Sequence, residues 1–399
     1  MILFIIGIVL FIGLVVVHEL GHFWVARRNG VEVEEFGIFF PPRLWKKRMK
    51  AGWDFTINLL PLGGFVKLKG ENDSDKRPGS FGVASDSAKA KIMLAGVAVN
   101  LVTALLLFTF LAAVGIPKLI DNQFTISSDT KIVHREVRVG YVEPNSPAAK
   151  AGIDGQDQVT GLGLPVGTIA GCSVAPCAVE VVNNQADVKR ITKRLLANNS
   201  VISVELLRNG TQKVVQVTPN SPAAVTASEK AGKPIGYLGV APVEYTLQRS
   251  TWSAPLVAAG LTAQLTGLTF QGLGHALAGL GGIIAGAITG NTDARQTAQT
   301  EASSQVSGPI GIFVILKSGS TLGFQYMLLI IAVISLTLAI MNVLPIPALD
   351  GGRLFVMAIA RVFKKSLTPK MEEGIYATGF MLLISLIVLI TVVDVKRFF

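Results

Sequence analysis

MILFIIGIVLFIGLVVVHELGHFWVA, residues 1–26, carries no ionisable side chain outside the pentapeptide His18-Glu19-Leu20-Gly21-His22. A run of this length and apolarity crosses the hydrocarbon core of a bilayer as one helix. Ionisable groups are expensive to hold there and therefore mark function. On a helix, two imidazoles four residues apart share a face, and the carboxylate between them is placed to act as a base; this is the spacing of zinc proteases. Two ordinary explanations compete with that reading. A lone histidine in an apolar helix is usually a packed core residue, but a structural helix gains nothing from two histidines and a glutamate in lipid. A secretory leader needs basic residues ahead of its apolar stretch and a small-residue cleavage site behind it. Here no Lys or Arg precedes Arg27, and the stretch runs straight on into Phe23-Trp24. The pentapeptide reads as a metal site with protease chemistry, set inside a membrane.

Composition agrees. Half of the 399 residues are hydrophobic and only 16% are charged, against roughly 25% charged in soluble domains. The net charge of +10 raises the question of nucleic acid, and its distribution excludes it. Arg27, Arg28, Arg43, Lys46, Lys47, Arg48 and Lys50 crowd behind the first apolar run, with no nucleic-acid motif beside them. Such a cluster marks a cytoplasmic loop and attracts anionic headgroups, so the partner is the lipid bilayer.

Further apolar runs at 92–116, 324–344 and 374–393 predict three more spans. Between the first two spans, residues 55–60 and 61–68 are short β-prone runs about a Pro/Gly turn, which suggests a hairpin over about 53–69 that dips into the membrane surface. A soluble hairpin is the alternative. Residues 118–242 hold most of the water-soluble character: a strand at 138–142, a helix at 185–197, and strands 201–207 and 212–218 about Asn209-Gly210, a strong hairpin signal. Residues 221–234 read as a Pro/Ala/Ser/Lys-rich linker. The fold class is thus a polytopic α-helical membrane protein with an inserted α/β domain. Cys172 and Cys177 fall in that domain. Its compartment permits a disulfide between them, with two free thiols as the alternative.

A catalytic zinc takes three protein ligands, and the pentapeptide gives two. His134 lies beside Arg135 in the soluble part, and His275 stands alone in an uncharged Gly/Ala/Thr-rich stretch, 255–290. The best third ligand is Asp350, in Asn342-Val-Leu-Pro-Ile-Pro-Ala-Leu-Asp-Gly-Gly352. A carboxylate there sits on a Pro-x-Pro frame at a span's end, although Asp-Gly-Gly is also ordinary turn chemistry. Parity adds a constraint. Both motifs lie towards the C-terminal ends of their spans, so both spans must run in the same direction. The run 92–116 supplies the single return crossing needed, and one further crossing by 255–290 would spoil it. That stretch is therefore expected to be peripheral, re-entrant or a full hairpin. The basic loops after both motifs then share the cytoplasmic side, and 118–242 faces outward.

Together these residues resemble the bacterial site-2 intramembrane zinc metalloproteases. His18–His22 is similar to the family's first motif and Asn342–Gly352 to its Asn-x-x-Pro-x-Pro-x-Leu-Asp-Gly-Gly motif. Ala95-Gly96 through Asn100 resembles the second-span pattern, with Val97 where a proline is usual, and Ser307–Gly311 resembles the segment before the third span. Residues 61–67 are similar to the family's membrane-associated β hairpin. Asn145-Ser-Pro-Ala148 and Ala151-Gly-Ile153 resemble a PDZ domain over about 136–220, with Gln156 in place of a glycine and an apparent insertion at 161–181. There is room for one such module, where proteobacterial members carry two.

The resemblance implies four parts: a core of 1–117 and 324–399, an extracytoplasmic region 118–242, and peripheral or re-entrant helices over 243–323. It implies Zn²⁺ held by His18, His22 and Asp350, with Glu19 as catalytic base. Asn342 would then hold the substrate backbone or polarise its carbonyl, and the hairpin with Gly63 and Gly64 would capture the unwound substrate strand. Implied substrates are single-pass membrane proteins, such as anti-sigma factors or remnant signal peptides, cut in their membrane segments at the bacterial inner membrane. The PDZ-like module would bind a peptide or exclude bulky substrates. Two other readings stand beside this one: a zinc-binding transporter, disfavoured because the later spans carry few ionisable residues, and an inactive scaffold, disfavoured because a structural zinc site needs no Glu19.

Overall fold

A computed structural model describes residues 2–70, 75, 77–166, 176–197, 200–208, 210–230, 235–289, 308–364 and 368–398. The chain divides into two compact units, Met1–Val114 with Gln123–Ile126 and Trp252–Phe399, and Gly115–Asn122 with Ser127–Thr251.

Among the described residues of the first unit, four helices are long and apolar enough to cross a membrane: α1 (Ile2–Arg28), α2 (Asp86–Val114), α8 (Phe324–Val343) and the Lys370–Val392 part of α10 (Pro369–Phe398). They coincide with the four predicted runs. Half of the α8 window is buried by protein but only 6% of the α10 window, so α8 is central and α10 turns most of its surface to lipid. Small residues let the central helices approach. A methyl group on Gly21 would stand 2.9 Å from the Ala95 carbonyl oxygen of α2, a contact that only glycine allows. Ser335 of α8 donates to the Asn100 carbonyl of α2 at 2.8 Å.

Helix α7 (Pro309–Leu322) begins under a carboxylate from far along the chain. Asp394 of α10, 1% exposed, accepts from the N–H groups of Gly308 and Gly311, both at 2.9 Å. This satisfies N-terminal donors that lack a partner within the helix. Residues 254–289 form one unbroken helix, α6 (Ala254–Thr289), so no re-entrant pair or hairpin forms within them. Its first turns pack on the end of α2 through Ala254, Val257 and Ala112.

The expected hairpin over 53–69 has a different partner. Residues 54–68 form one strand, β2 (Asp54–Leu68), antiparallel to β1 (Val33–Arg48). Each strand is used twice, so Gly37 pairs with Phe65 on one side and Thr56 on the other. The reversal falls at 49–53, where Gly52 takes a positive φ of 88° and donates to the Met49 carbonyl. The charges and the Pro41-Pro42 pair of β1 hid it from a strand reading.

The second unit is a seven-stranded sheet of β3 (Ile116–Pro117), β4 (Lys131–Val142), β5 (Gln158–Leu164), β6 (Cys177–Val181), β7 (Ile202–Arg208), β8 (Thr211–Val217) and β9 (Val240–Arg249), ordered β3-β9-β4-β5-β7-β8 with β6 on β5. Helices α3 (Pro147–Lys150), α4 (Gln185–Leu195) and α5 (Pro222–Lys230) accompany it. Its core gathers Val137, Leu162, Ile191, Ile202 and Leu206. The predicted helix and the β7–β8 hairpin are present, Asn209 lying outside the described residues. Two boundaries move. The sheet runs through β9 to Arg249, beyond the expected limit at 242. The expected linker contains α5, which starts at Ser221 with its Oγ accepting from Ala224 N–H at 3.2 Å and Pro222 in the first turn. Part of the expected insertion is sheet, since Gly161 pairs with Val181 and Leu164 with Cys177. Cys177 is buried and is not a free thiol; Cys172, its expected partner, lies outside the described residues.

Candidate active site

The site is built on helical spacing. His18 and His22, one turn apart on α1, face α2 and the start of α9 (Asp350–Val362). The two Nε2 atoms lie 3.2 Å apart. Asp350 Oδ2 lies 3.3 Å from His18 Nε2 and 3.1 Å from His22 Nε2. Asp350 Oδ2 is buried and accepts no hydrogen bond. Among the described residues this is the one group of three or more His, Cys, Asp or Glu side chains arranged to hold a metal. The donors fit Zn²⁺: a tetrahedral ion with bonds of about 2.0–2.1 Å keeps its ligands about 3.3 Å apart. His134 instead pairs with Glu136 in the second unit, at 3.1 Å.

Asp350 is delivered by a tight reversal after α8. The chain leaves Val343 in extended form, turns at 344–349, and enters α9 directly at Asp350. Gly351 and Gly352 make this possible: a methyl group would stand 2.2 Å from the Val343 carbonyl oxygen at the first and 2.0 Å from that of Ile346 at the second. The two glycines thus seat the helix that carries Asp350 against the end of the span it follows.

Glu19 sits on the neighbouring face of α1, under β2. A methyl group on Gly64 would lie 3.2 Å from Glu19 Cγ, and the Glu19 carboxylate is hydrogen-bonded by the Val66 backbone. Residues 64–68 pair with 33–38 in the β1–β2 sheet, and Gly64 and Val66 of this segment lie beside Glu19. Gly63 packs instead towards Phe40, whose ring a methyl group there would meet at 3.0 Å. Asn342 lies in the last turn of α8 with its amide folded back, donating to Leu338 O at 3.0 Å.

Helix α2 contributes three groups that the sequence reading did not single out as site residues. Ile92, Gly96 and Asn100 recur every four residues and so line one stripe of the helix. The Ile92 carbonyl lies 2.8 Å from His22 Nδ1, and the Asn100 amide lies 3.1 Å from His18 Nδ1. Between them, a methyl group on Gly96 would stand 2.4 Å from both His18 Cε1 and His22 Nε2. Glycine leaves room there for the imidazoles and anything they bind. The period of four was legible; the two rings it serves were not.

Comparison with known proteins agrees with this geometry. The model of peptidase family M50 matches residues 6–386. A Clostridium perfringens protein that carries a zinc metalloprotease name is 29% identical over 386 residues, covering 96% of each chain. Regulator of sigma-E protease RseP of Escherichia coli is 27% identical over 458 residues, again 96% of each. A Campylobacter jejuni protein with a zinc metalloprotease name is 27% identical over 394 residues, covering 96% of this chain and 90% of its own. The chain belongs to peptidase family M50, and with its membrane-spanning helices it is an intramembrane zinc metalloprotease.

Proposed function

We propose that His18, His22 and Asp350 hold the catalytic Zn²⁺ and that Glu19 is the proton carrier for hydrolysis of peptide bonds in the transmembrane segments of membrane-anchored substrates. The observation that carries this reading is the convergence of three candidate ligand atoms within 3.1–3.3 Å. Two of them come from histidines flanking Glu19 on a helix long and apolar enough to span the membrane, and the third from the helix that follows another such span. When bound, the ion activates water and polarises the scissile carbonyl. A Glu19 carboxylate oxygen takes the proton of the attacking water and passes it to the leaving amine. A helical substrate must unwind first, because its carbonyls are already hydrogen-bonded. The β2 edge beside Glu19, with Gly64 at closest approach, takes the opened strand by edge pairing. Asn342 at the end of α8 binds the substrate backbone once its amide leaves Leu338.

The basic cluster after α1 supports an active site near the cytoplasmic face of a bacterial inner membrane, with the sheet unit on the outer side. That unit is PDZ-like. It holds a cavity of about 690 Å³ lined by Val188 and Thr192 of α4, Val225 of α5, and Tyr237 and Leu238, suited to a peptide. By extension from the name of the E. coli relative, single-pass regulators of sigma factors are the substrate class to test first. Glu19→Gln should retain zinc and fail to cut a single-pass reporter substrate in liposomes. Cleavage at the wild-type rate by that variant would sink the mechanism.

A further inference from the structure

The α2 stripe carries a second consequence, which rests on the metal reading above. A histidine that binds a metal through Nε2 must keep its proton on Nδ1, and the partner of Nδ1 decides whether it does. For His22 the matter is closed by chemistry. Its Nδ1 faces the Ile92 carbonyl at 2.8 Å, and a carbonyl only accepts, so Nδ1 carries the hydrogen and Nε2 presents its lone pair to Asp350 and His18.

His18 has the same task with a different partner. Its Nε2 is the atom beside His22 and Asp350, and its Nδ1 faces the side-chain amide of Asn100 at 3.1 Å. Oxygen and nitrogen of an amide are told apart only by their bonds. With the nitrogen towards Nδ1, the His18 hydrogen would be forced onto Nε2, into the ligand cluster. The amide oxygen would also be left buried with no partner, as it stands here. With the oxygen towards Nδ1, it accepts the Nδ1–H and Nε2 is freed. On the far side of the amide the oxygen has no hydrogen-bond donor, so the exchange breaks no hydrogen bond there. Asn100 is itself fully buried, and its backbone carbonyl accepts from Ser335 of α8.

We propose that Asn100 is a positioning residue: its amide oxygen accepts the Nδ1–H of His18 and holds that imidazole in the metal-binding tautomer, as the Ile92 carbonyl does for His22. Asn100 does not touch substrate and acts only through His18.

The test uses full-length protein in detergent, stripped of metal and titrated with Zn²⁺ against a chromophoric chelator. Asn100→Leu should weaken zinc binding by about 10–100-fold. Asn100→Asp keeps an acceptor oxygen and should bind within about threefold of wild type or tighter, the usual carboxylate–histidine arrangement. Ser335→Ala loosens the contact of α2 with α8 without touching the acceptor, and should bind as wild type. Wild-type affinity in Asn100→Leu would overturn the proposal, as would Asn100→Asp or Ser335→Ala falling as far as Asn100→Leu. Wild-type protein that takes up no zinc would instead overturn the metal reading itself. Should Asn100→Leu fail to fold, ¹⁵N-histidine NMR of the metal-free wild type decides: an Nδ1–H tautomer at His18 is expected, and an Nε2–H tautomer refutes the role.

Discussion

Two carboxylates in the membrane unit show opposite solutions to one difficulty. Asp394 is 1% exposed and accepts from two backbone N–H groups at the start of α7. Asp350 Oδ2 is buried too, yet accepts no hydrogen bond and stands 3.1–3.3 Å from two imidazole nitrogens. A buried polar atom costs free energy unless it is bonded. Asp394 is bonded and therefore serves the fold. Asp350 Oδ2 is left without a hydrogen bond, a deficit that the proposed cation would correct. Hydrogen-bond satisfaction, rather than burial or residue type, separates Asp394 from the proposed ligand Asp350.

The comparison breaks most readily at Asp350. Asp350→Ala should lower zinc affinity by more than about 100-fold, since it removes one of the three proposed ligands, while the metal-free protein unfolds at or above the wild-type temperature because a buried unbonded oxygen is gone. A large loss of stability in the metal-free variant would make Asp350 structural after all. Gly96→Ala comes next. Its methyl group would intrude within 2.4 Å of His18 Cε1 and His22 Nε2, and a misplaced site of this kind loses on the order of 100-fold in activity. Zinc content and cleavage should fall together with helicity preserved, as circular dichroism would show; unchanged zinc content would mean that α2 stands further off than described.

Asp394→Ala is the opposite case. It should destabilise the protein by about 1–2 kcal/mol, the range for a lost helix cap, and leave zinc affinity unchanged; chelator titration and thermal unfolding together separate the two outcomes. The smallest effect concerns a third carboxylate. In the second unit, Asp187 forms a capping box with Asn184 at the start of α4. The Arg190 guanidinium, followed by the N–H groups of Asn183 and Asn184, holds its carboxyl below the usual carboxylate range despite the opposing effect of burial. A depressed folded value means stability present above the unfolded pKa, about 3.9, and lost as pH falls through the lower folded value. Hydrogen exchange in α4 should therefore gain protection from the cap at pH 5 and lose it near pH 3. Asp187→Asn should show a flatter dependence, and an unchanged profile would remove Asp187 from the account.

Much of this site was legible because its chemistry is written in charged residues at fixed spacing. His18, Glu19 and His22 sit in an otherwise apolar run, and Asp350 follows a span on a Pro-x-Pro frame. The supports were not legible. Gly96 and Asn100 are uncharged, and the Ile92 contact uses the main chain, so only the through-space meeting of α1 and α2 reveals them. The pairing of β2 with β1 was hidden for a related reason: strand partners depend on tertiary context more than on local propensity, and β1 is rich in charge and carries two prolines. Helix α5 was read as linker from composition, though Ser221-Pro222 is a legitimate helix start.

The partner of His22 Nδ1 is a peptide carbonyl, and this gives the two imidazoles different genetic fates. Every amino acid at position 92 supplies the same acceptor, so no single codon change can delete it. The His18 side has no such insurance, since its acceptor is a side chain. Of the two Nδ1 contacts, only the one at position 100 is therefore open to removal by side-chain substitution.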